Sequence, residues 1–245
     1  MQNNYQIYGI RAVIEAIRSG RAVDKIFVQK GLRGDLFAEL NALVRKENIP
    51  CAFVPAEKLN RLGGKNHQGV AACISPVAFH NFEDLLPRVV ESGKIPLFLM
   101  LDQLSDVRNF GAIIRTAACT GVDGIIIPKS GAAPVTADTV KTSAGAVFKV
   151  PICKVNHLKD AVYYLQASGI KTVAATEKAT TTVYDIALTM PVAVIMGAED
   201  KGITPSLLRI ADEKARLPMY GDTGSLNVSV ACGVFLYEAL RQRSL

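Results

Sequence analysis

Three polar, glycine-bearing segments, each directly following an apolar run, hold the residues of this chain best suited to chemistry. LDQLSDVRNFGAIIRTA carries Asn109, Gly111 and Arg115, and VIMGAEDKGI carries Gly197 and Glu199. LPMYGDTGSLNVSVA leads from Leu217, Pro218 and Met219 through two glycines to Ser225 and Asn227. Amides and a carboxylate can orient a polar substrate, and a guanidinium pairs with anionic oxygens in a fixed fork. Asn109 is expected to begin a helix, with Gly111 leaving room for a close backbone approach and Arg115 in the second turn; Asn227 stands at the expected start of another helix. One at a time, each segment is ordinary loop chemistry of a cap, a turn glycine and a solvated charge.

Other chemistries find no support in the spacing. There is no GxGxxG after a strand, no GxxxxGK[ST] phosphate loop and no GxSxG elbow. The five cysteines, at 51, 73, 119, 153 and 232, form no CxxC pair, and His67, His80 and His157 lie far apart, so no metal is expected. Their odd number and scatter fit reduced thiols in a cytoplasmic protein, and Cys232, inside an apolar helix, is expected in the core. No apolar run approaches a membrane span, and MQNNYQIYGI lacks a signal pattern, so no membrane partner is expected.

The elements that must position these residues follow from the hydrophobic rhythm. Beyond about residue 95, PLFLMLD, GIIIP, FKVPICKV, IKTVAAT, PVAVIMG and KARLPM read as short buried strands, separated by helical stretches such as NFGAIIRTAACTG and HLKDAVYYLQASG. That alternation predicts an α/β domain with a mainly parallel sheet over residues 95–245. The last segment, SLNVSVACGVFLYEALRQRSL, is apolar on most of its circumference, which asks for cover on two sides, by its own domain and by a second subunit. Residues 77–94 are read as a linker with a short helix.

Residues 1–76 have a different rhythm and form a small α+β unit: helices over IYGIRAVIEAIRSG and DLFAELNALVRKENI, and strands at DKIFVQK, CAFVPA and GVAACIS. This third of the chain carries 11 Lys/Arg against 6 Asp/Glu, whereas the remainder carries 17 against 16, so nearly all of the net +6 sits here. KLNRLGGKNHQG is expected to be an exposed, mobile loop whose Lys58, Arg61, Lys65 and protonated His67 could meet a phosphate backbone.

In this order and spacing, NFGAIIR, MGAEDKG and LPM…SLNVSVA resemble the motifs of the SpoU/TrmH family of RNA ribose 2′-O-methyltransferases, in the knotted SPOUT class. The resemblance spans about residues 95–241; IYGIRAVIEAI and HQGV resemble the substrate-binding domain of members that modify a guanosine ribose in large-subunit ribosomal RNA. Asp200 and Leu217 depart from the usual glycine and isoleucine. The resemblance implies a trefoil-knotted catalytic domain behind a ribosomal-protein-like RNA-binding domain, a homodimer, and S-adenosylmethionine as cofactor. It places Thr176, Gly197, Leu217, Met219 and Leu226 at the cofactor and Arg115 beside the target ribose, with Asn109, Glu199, Ser225 and Asn227 orienting it. A side chain added at Gly197 is expected to fill the cofactor cleft. A guanidinium stays protonated and is a poor proton acceptor, so Arg115 fits binding and polarisation better than proton abstraction, which the family also allows. A tRNA ribose methyltransferase, an antibiotic-resistance enzyme of the same architecture and a silent RNA-binding protein are the alternatives.

Overall fold

The computed structural model describes residues 6–62, 66–220 and 225–244. It divides into one unit of residues up to Ala78 with Pro134–Ala137, and a second of Phe79–Ala133 with Asp138 onward.

The first unit runs β1 (Gln6–Tyr8), α1 (Ile10–Arg18), β2 (Val23–Gln29), α2 (Asp35–Lys46), β3 (Cys51–Val54), α3 (Ala56–Arg61) and β4 (Val70–Ile74). Its sheet has the order β1-β4-β2-β3, with β2 and β3 parallel and the other pairs antiparallel. Strand alternation sends Ile26, Val28, Val70 and Ala72 to one face, where Val13 and Ile14 of α1 and Leu40 and Val44 of α2 cover them. The opposite face places Val54 and Ala71 under Leu59 of α3. Two elements depart from the sequence reading. β1, three residues long, is too short to show alternation and lies within what reads as helix. The first four residues of the expected loop, Lys58 to Arg61, belong to α3, ordered because Leu59 is buried.

The second unit runs α4 (Phe82–Glu91), β5 (Leu97–Leu101), α5 (Val107–Cys119), β6 (Gly124–Pro128), α6 (Ala137–Thr142), β7 (Ile152–Val155), α7 (Leu158–Ala167), β8 (Lys171–Ala175), β9 (Val192–Met196), α8 (Pro205–Ile210), β10 (Glu213–Ala215) and α9 (Val228–Arg243). Its six strands are parallel, in the order β10-β8-β9-β5-β6-β7. Every residue of β5 and β9 is buried, as expected of central parallel strands covered on both faces. Phe98, Met100, Ala193 and Ile195 face Leu158, Val162 and Leu165 of α7 and Leu207 of α8, while α9 packs against α5 and β9.

The stretch read as a linker is part of this core. Phe82 and Leu86 of α4 are buried in the same cluster, and the Phe82 ring meets Phe98 and Tyr164 edge-on at 6.0 and 5.7 Å. A ten-residue helix interrupted by Pro87 gives a weak sequence signal, and tertiary packing stabilises it. Among the described residues no helix is long and apolar enough to cross a membrane.

Candidate functional site

The chain runs outward through β5, β6 and β7, crosses back to β8, and then inserts β9 between β8 and β5. Such a reversal leaves a crevice beyond the carboxyl ends of the strands. Here the loops after β8, β9 and β10 and the start of α9 enclose a cleft of about 310 Å³. Thr176, Gly197, Leu217, Met219 and Leu226 all line it, as do Glu199 and Ser225. Sequence reasoning missed the cleft's floor, Val228, Ala231 and Phe235 of α9, because apolar helix residues signal core and nothing more.

Backbone and side-chain bonds tie these loops together. Asp102, just past β5, is buried; its N–H donates to Met196 O (2.8 Å) and its carboxylate accepts from Thr204 N–H (2.7 Å). The loop after β9 turns back on itself, Gly202 N–H donating to Ala198 O (2.8 Å). A Cβ on Gly197 would stand 2.1 Å from the Gly202 carbonyl carbon and 2.2 Å from Ile203 N. Gly197 is therefore glycine because its own loop closes over it. The expectation that a side chain there would fill the cofactor cleft is corrected: it would strike backbone first.

Asn227 joins two of the other loops. It caps α9, its Oδ1 accepting from Ser229 N–H (3.0 Å) and Ser229 Oγ (2.6 Å), while its Nδ2 donates to Asn109 Oδ1 (3.1 Å) and Glu199 Oε2 (3.4 Å). The cap on the oxygen fixes which way the amide faces, so the NH₂ is left for the bridge. Asn109 does not begin α5. Asp106 is the cap, accepting from Asn109 N–H at 2.7 Å, and Asn109 sits one turn in, free to reach Asn227. The expected close approach at Gly111 is present: a Cβ there would lie 1.8 Å from Thr142 Oγ1.

Arg115 is not brought into this cluster. Six residues after Asn109 on α5, it turns about 120° around the helix from it, is exposed, and makes no hydrogen bond or ion pair among the described residues. Asn109, Glu199 and Asn227 thus do not orient it by direct contact, and Ser225 lines the cleft. Cys232 lies in the core with burial pushing its thiol up to about 12, which leaves it unreactive. No group of His, Cys, Asp and Glu among the described residues could hold a metal.

On the first unit, Lys58 and Arg61 are exposed on α3. The Lys58 and Lys25 ammonium groups stand 5.7 and 5.3 Å from the Phe27 ring centroid, a cation–π arrangement the sequence did not suggest. Lys65 lies outside the described residues. His67 is held in place: Nδ1 accepts from Gly69 N–H (2.9 Å), leaving Nε2 to donate to Asn60 Oδ1 (3.0 Å), so both ring nitrogens are engaged within the unit.

Known proteins match both units. Residues 96–237 match the SpoU rRNA methylase family, and residues 6–80 match the RNA 2′-O ribose methyltransferase substrate-binding family. A protein of Staphylococcus haemolyticus assigned to the TrmH family of tRNA/rRNA methyltransferases is 34% identical over 97% of this chain and 95% of its own length. The structure of an AdoMet-bound rRNA methyltransferase from Sinorhizobium meliloti superposes with a TM-score of 0.62 at 26% identity, covering 97% of this chain and 87% of that one. The TrmH/SpoU tRNA-modifying enzyme of A. aeolicus gives 0.57 at 31% identity, covering 66% of this chain and 84% of that one. The family match extends over more than half of the chain and through all three polar segments, and the protein is a member of the SpoU rRNA methylase family.

Proposed function

We propose that this chain methylates a ribose 2′-hydroxyl of RNA, on a guanosine of large-subunit ribosomal RNA, with S-adenosylmethionine as methyl donor. The observation that carries the reading is the cleft at the carboxyl ends of β8, β9 and β10, with an amide–carboxylate bridge at its rim. Its donor set suits an adenosyl group: Leu217, Met219, Leu226 and Phe235 offer apolar walls, while backbone groups near Thr176, Gly197 and Leu217 can meet the polar edge of a ring. Bound there, S-adenosylmethionine supplies a sulfonium-activated methyl electrophile that needs neither metal nor covalent intermediate.

The protein's own residues have two further tasks, positioning and activation of the hydroxyl. The bridge from Asn227 to Asn109 and Glu199 holds the loops after β9 and β10 and the start of α5 in one arrangement. Arg115, exposed on α5 and without a partner among the described residues, is available to a phosphate and to the ribose hydroxyl, whose acidity a nearby guanidinium raises. The knotted course of the chain, a cytoplasmic location and a homodimer belong to the same proposal. The exposed Val230 and Tyr237 of α9, 51% and 53% accessible, favour a second subunit on that helix.

Ribosomal RNA is favoured over tRNA by extent of likeness. The rRNA methyltransferase of S. meliloti matches 97% of this chain, whereas the tRNA-modifying enzyme of A. aeolicus matches 66%. The first unit would be the RNA-holding part, with Lys58, Arg61 and Lys65 on phosphates. The test is transfer of labelled methyl from S-adenosylmethionine to ribosomal RNA and to tRNA without added metal, followed by mass-spectrometric mapping of the product. A methylated ribose in ribosomal RNA is expected; a methylated base, or transfer confined to tRNA, would overturn the assignment.

A further inference from the structure

The cofactor cleft occupies one half of the sheet's carboxyl edge, and the other half is also hollow. Beyond β5, β6 and β7 lies a cleft of about 640 Å³, lined by Gln103, Ser105, Ser130, Asn156, Lys159 and Lys201 among others. It continues into another of about 810 Å³, walled by Phe79, Lys129, Lys154 and Tyr164, the two sharing Asn156, His157 and Asp160. Lys201 borders both the nearer cleft and the cofactor cleft, so one trough leads from the cofactor towards α4 and α7. Together the two clefts exceed the roughly 300–1,000 Å³ of a small-molecule pocket, which suits a chain better than a metabolite.

The trough is polar, and three of its lysines have no acidic partner among the described residues. Lys129, Lys159 and Lys201 make no ion pair among the described residues. Acidic residues are present, but Asp102 turns its carboxylate to Thr204 N–H, and neither Asp160 nor Glu83 pairs with a lysine there. At the far end, Lys154 lies over the Phe79 ring at 3.8 Å, and Tyr164 offers a second ring. Gln103, on the near wall, holds a left-handed φ of 57°, a conformation that non-glycine residues keep where the surrounding structure enforces it.

We propose that this trough holds the single-stranded RNA flanking the target nucleotide, with Lys129, Lys159 and Lys201 on its phosphates and bases against the aromatic wall. The proposal rests on the reading that RNA is the substrate, and it places a second RNA contact on the catalytic unit, apart from the basic first unit.

The test is the full-length Lys129→Glu/Lys159→Glu variant, which spares Lys201 because that residue borders the cofactor cleft. Its affinity for a fluorescein-labelled single-stranded RNA oligonucleotide is measured against salt, and its S-adenosylmethionine affinity by calorimetry. Affinity should fall at least ten-fold and the salt slope by about 1.4, two phosphate contacts at about 0.7 each on a single strand, with cofactor affinity unchanged. Lys129→Gln/Lys159→Gln, which removes charge without reversing it, should show a smaller loss of the same kind and guards against misfolding of the double Glu variant. Unchanged RNA affinity and slope in both variants would overturn the trough assignment. Lysine-dependent RNA binding by a wild-type protein that transfers no methyl would keep the trough and sink the methyltransferase reading.

Discussion

Asn227 does two jobs with one amide, and they can be separated. Its oxygen caps α9 and its nitrogen bridges Asn109 and Glu199. Asn227→Asp keeps the cap, because a carboxylate is an equally good N-cap, but sets it against Glu199. Thermal stability should therefore stay near wild type while methyl transfer falls at least ten-fold; Asn227→Ala should lose transfer and also about 1 kcal/mol of stability. Equal unfolding losses in the two variants would show that the bridge is not the functional part. Arg115→Ala tests the other half of the proposed site. Since Arg115 lies off the cofactor cleft, transfer should be abolished with S-adenosylmethionine affinity within a few-fold, by calorimetry. Gly197→Ala, by contrast, should act through folding: its Cβ meets backbone at 2.1 Å, so a lowered melting temperature must accompany any loss of cofactor.

At the scale of one element, α9 is the piece on which most depends. Its first turns floor the cleft and its last turn locks the opposite end of the sheet. Arg243 donates to four carbonyls, Leu188 (2.9 Å), Ile95 (3.0 Å), Pro96 (3.0 Å) and Met190 (2.8 Å), at the starts of β5 and β9. Burial pushes its pKa down, partly offset by Asp123. Arg243→Ala strands several carbonyls and should cost about 3 kcal/mol, lowering Tm by about 6–12 °C in a scanning measurement. Glu238, one turn earlier, is held below its ordinary range by hydrogen bonds from Arg241, with burial opposing and Gln242 assisting. A depressed folded-state pKa means the carboxylate stabilises the fold at neutral pH and loses that contribution as pH falls through its folded-state value. The stability gap between wild type and Glu238→Gln should thus be widest near neutrality and close in acid, as denaturant titrations at several pH values would read.

For the whole molecule, the place where the second unit begins is testable by truncation. Residues from Phe79 onward, apart from Pro134–Ala137, form that unit, and α4 is inside its core. A chain starting at 79 should fold, bind S-adenosylmethionine and methylate its RNA poorly, because it has lost Lys58, Arg61 and nearly all the net positive charge. Its RNA affinity should also depend less steeply on salt. A chain starting at 95 should aggregate, since losing Phe82 and Leu86 uncovers Phe98 and Met100. Two equally soluble truncations would mean that α4 is dispensable.

The sequence alone determined the parallel α/β class, the family and the loop residues of the cleft though not its floor, because apolar runs and motif spacing are local properties of the chain. Leu217, Met219 and Leu226 were legible only through the family's motif, since an apolar side chain by itself says core. What tertiary structure decided is who touches whom. Asn109 reads as a cap, yet Asp106 takes that place and frees Asn109 for a partner 118 residues away. Gly197 reads as clearance for a ligand, yet its neighbour is its own returning backbone. The stretch 77–94 reads as a linker, yet its helix is ordered by rings and strands far along the chain. The reason is common to all three. Caps, close approaches and the burial of a short helix depend on groups distant in sequence, and no window of neighbouring residues contains them.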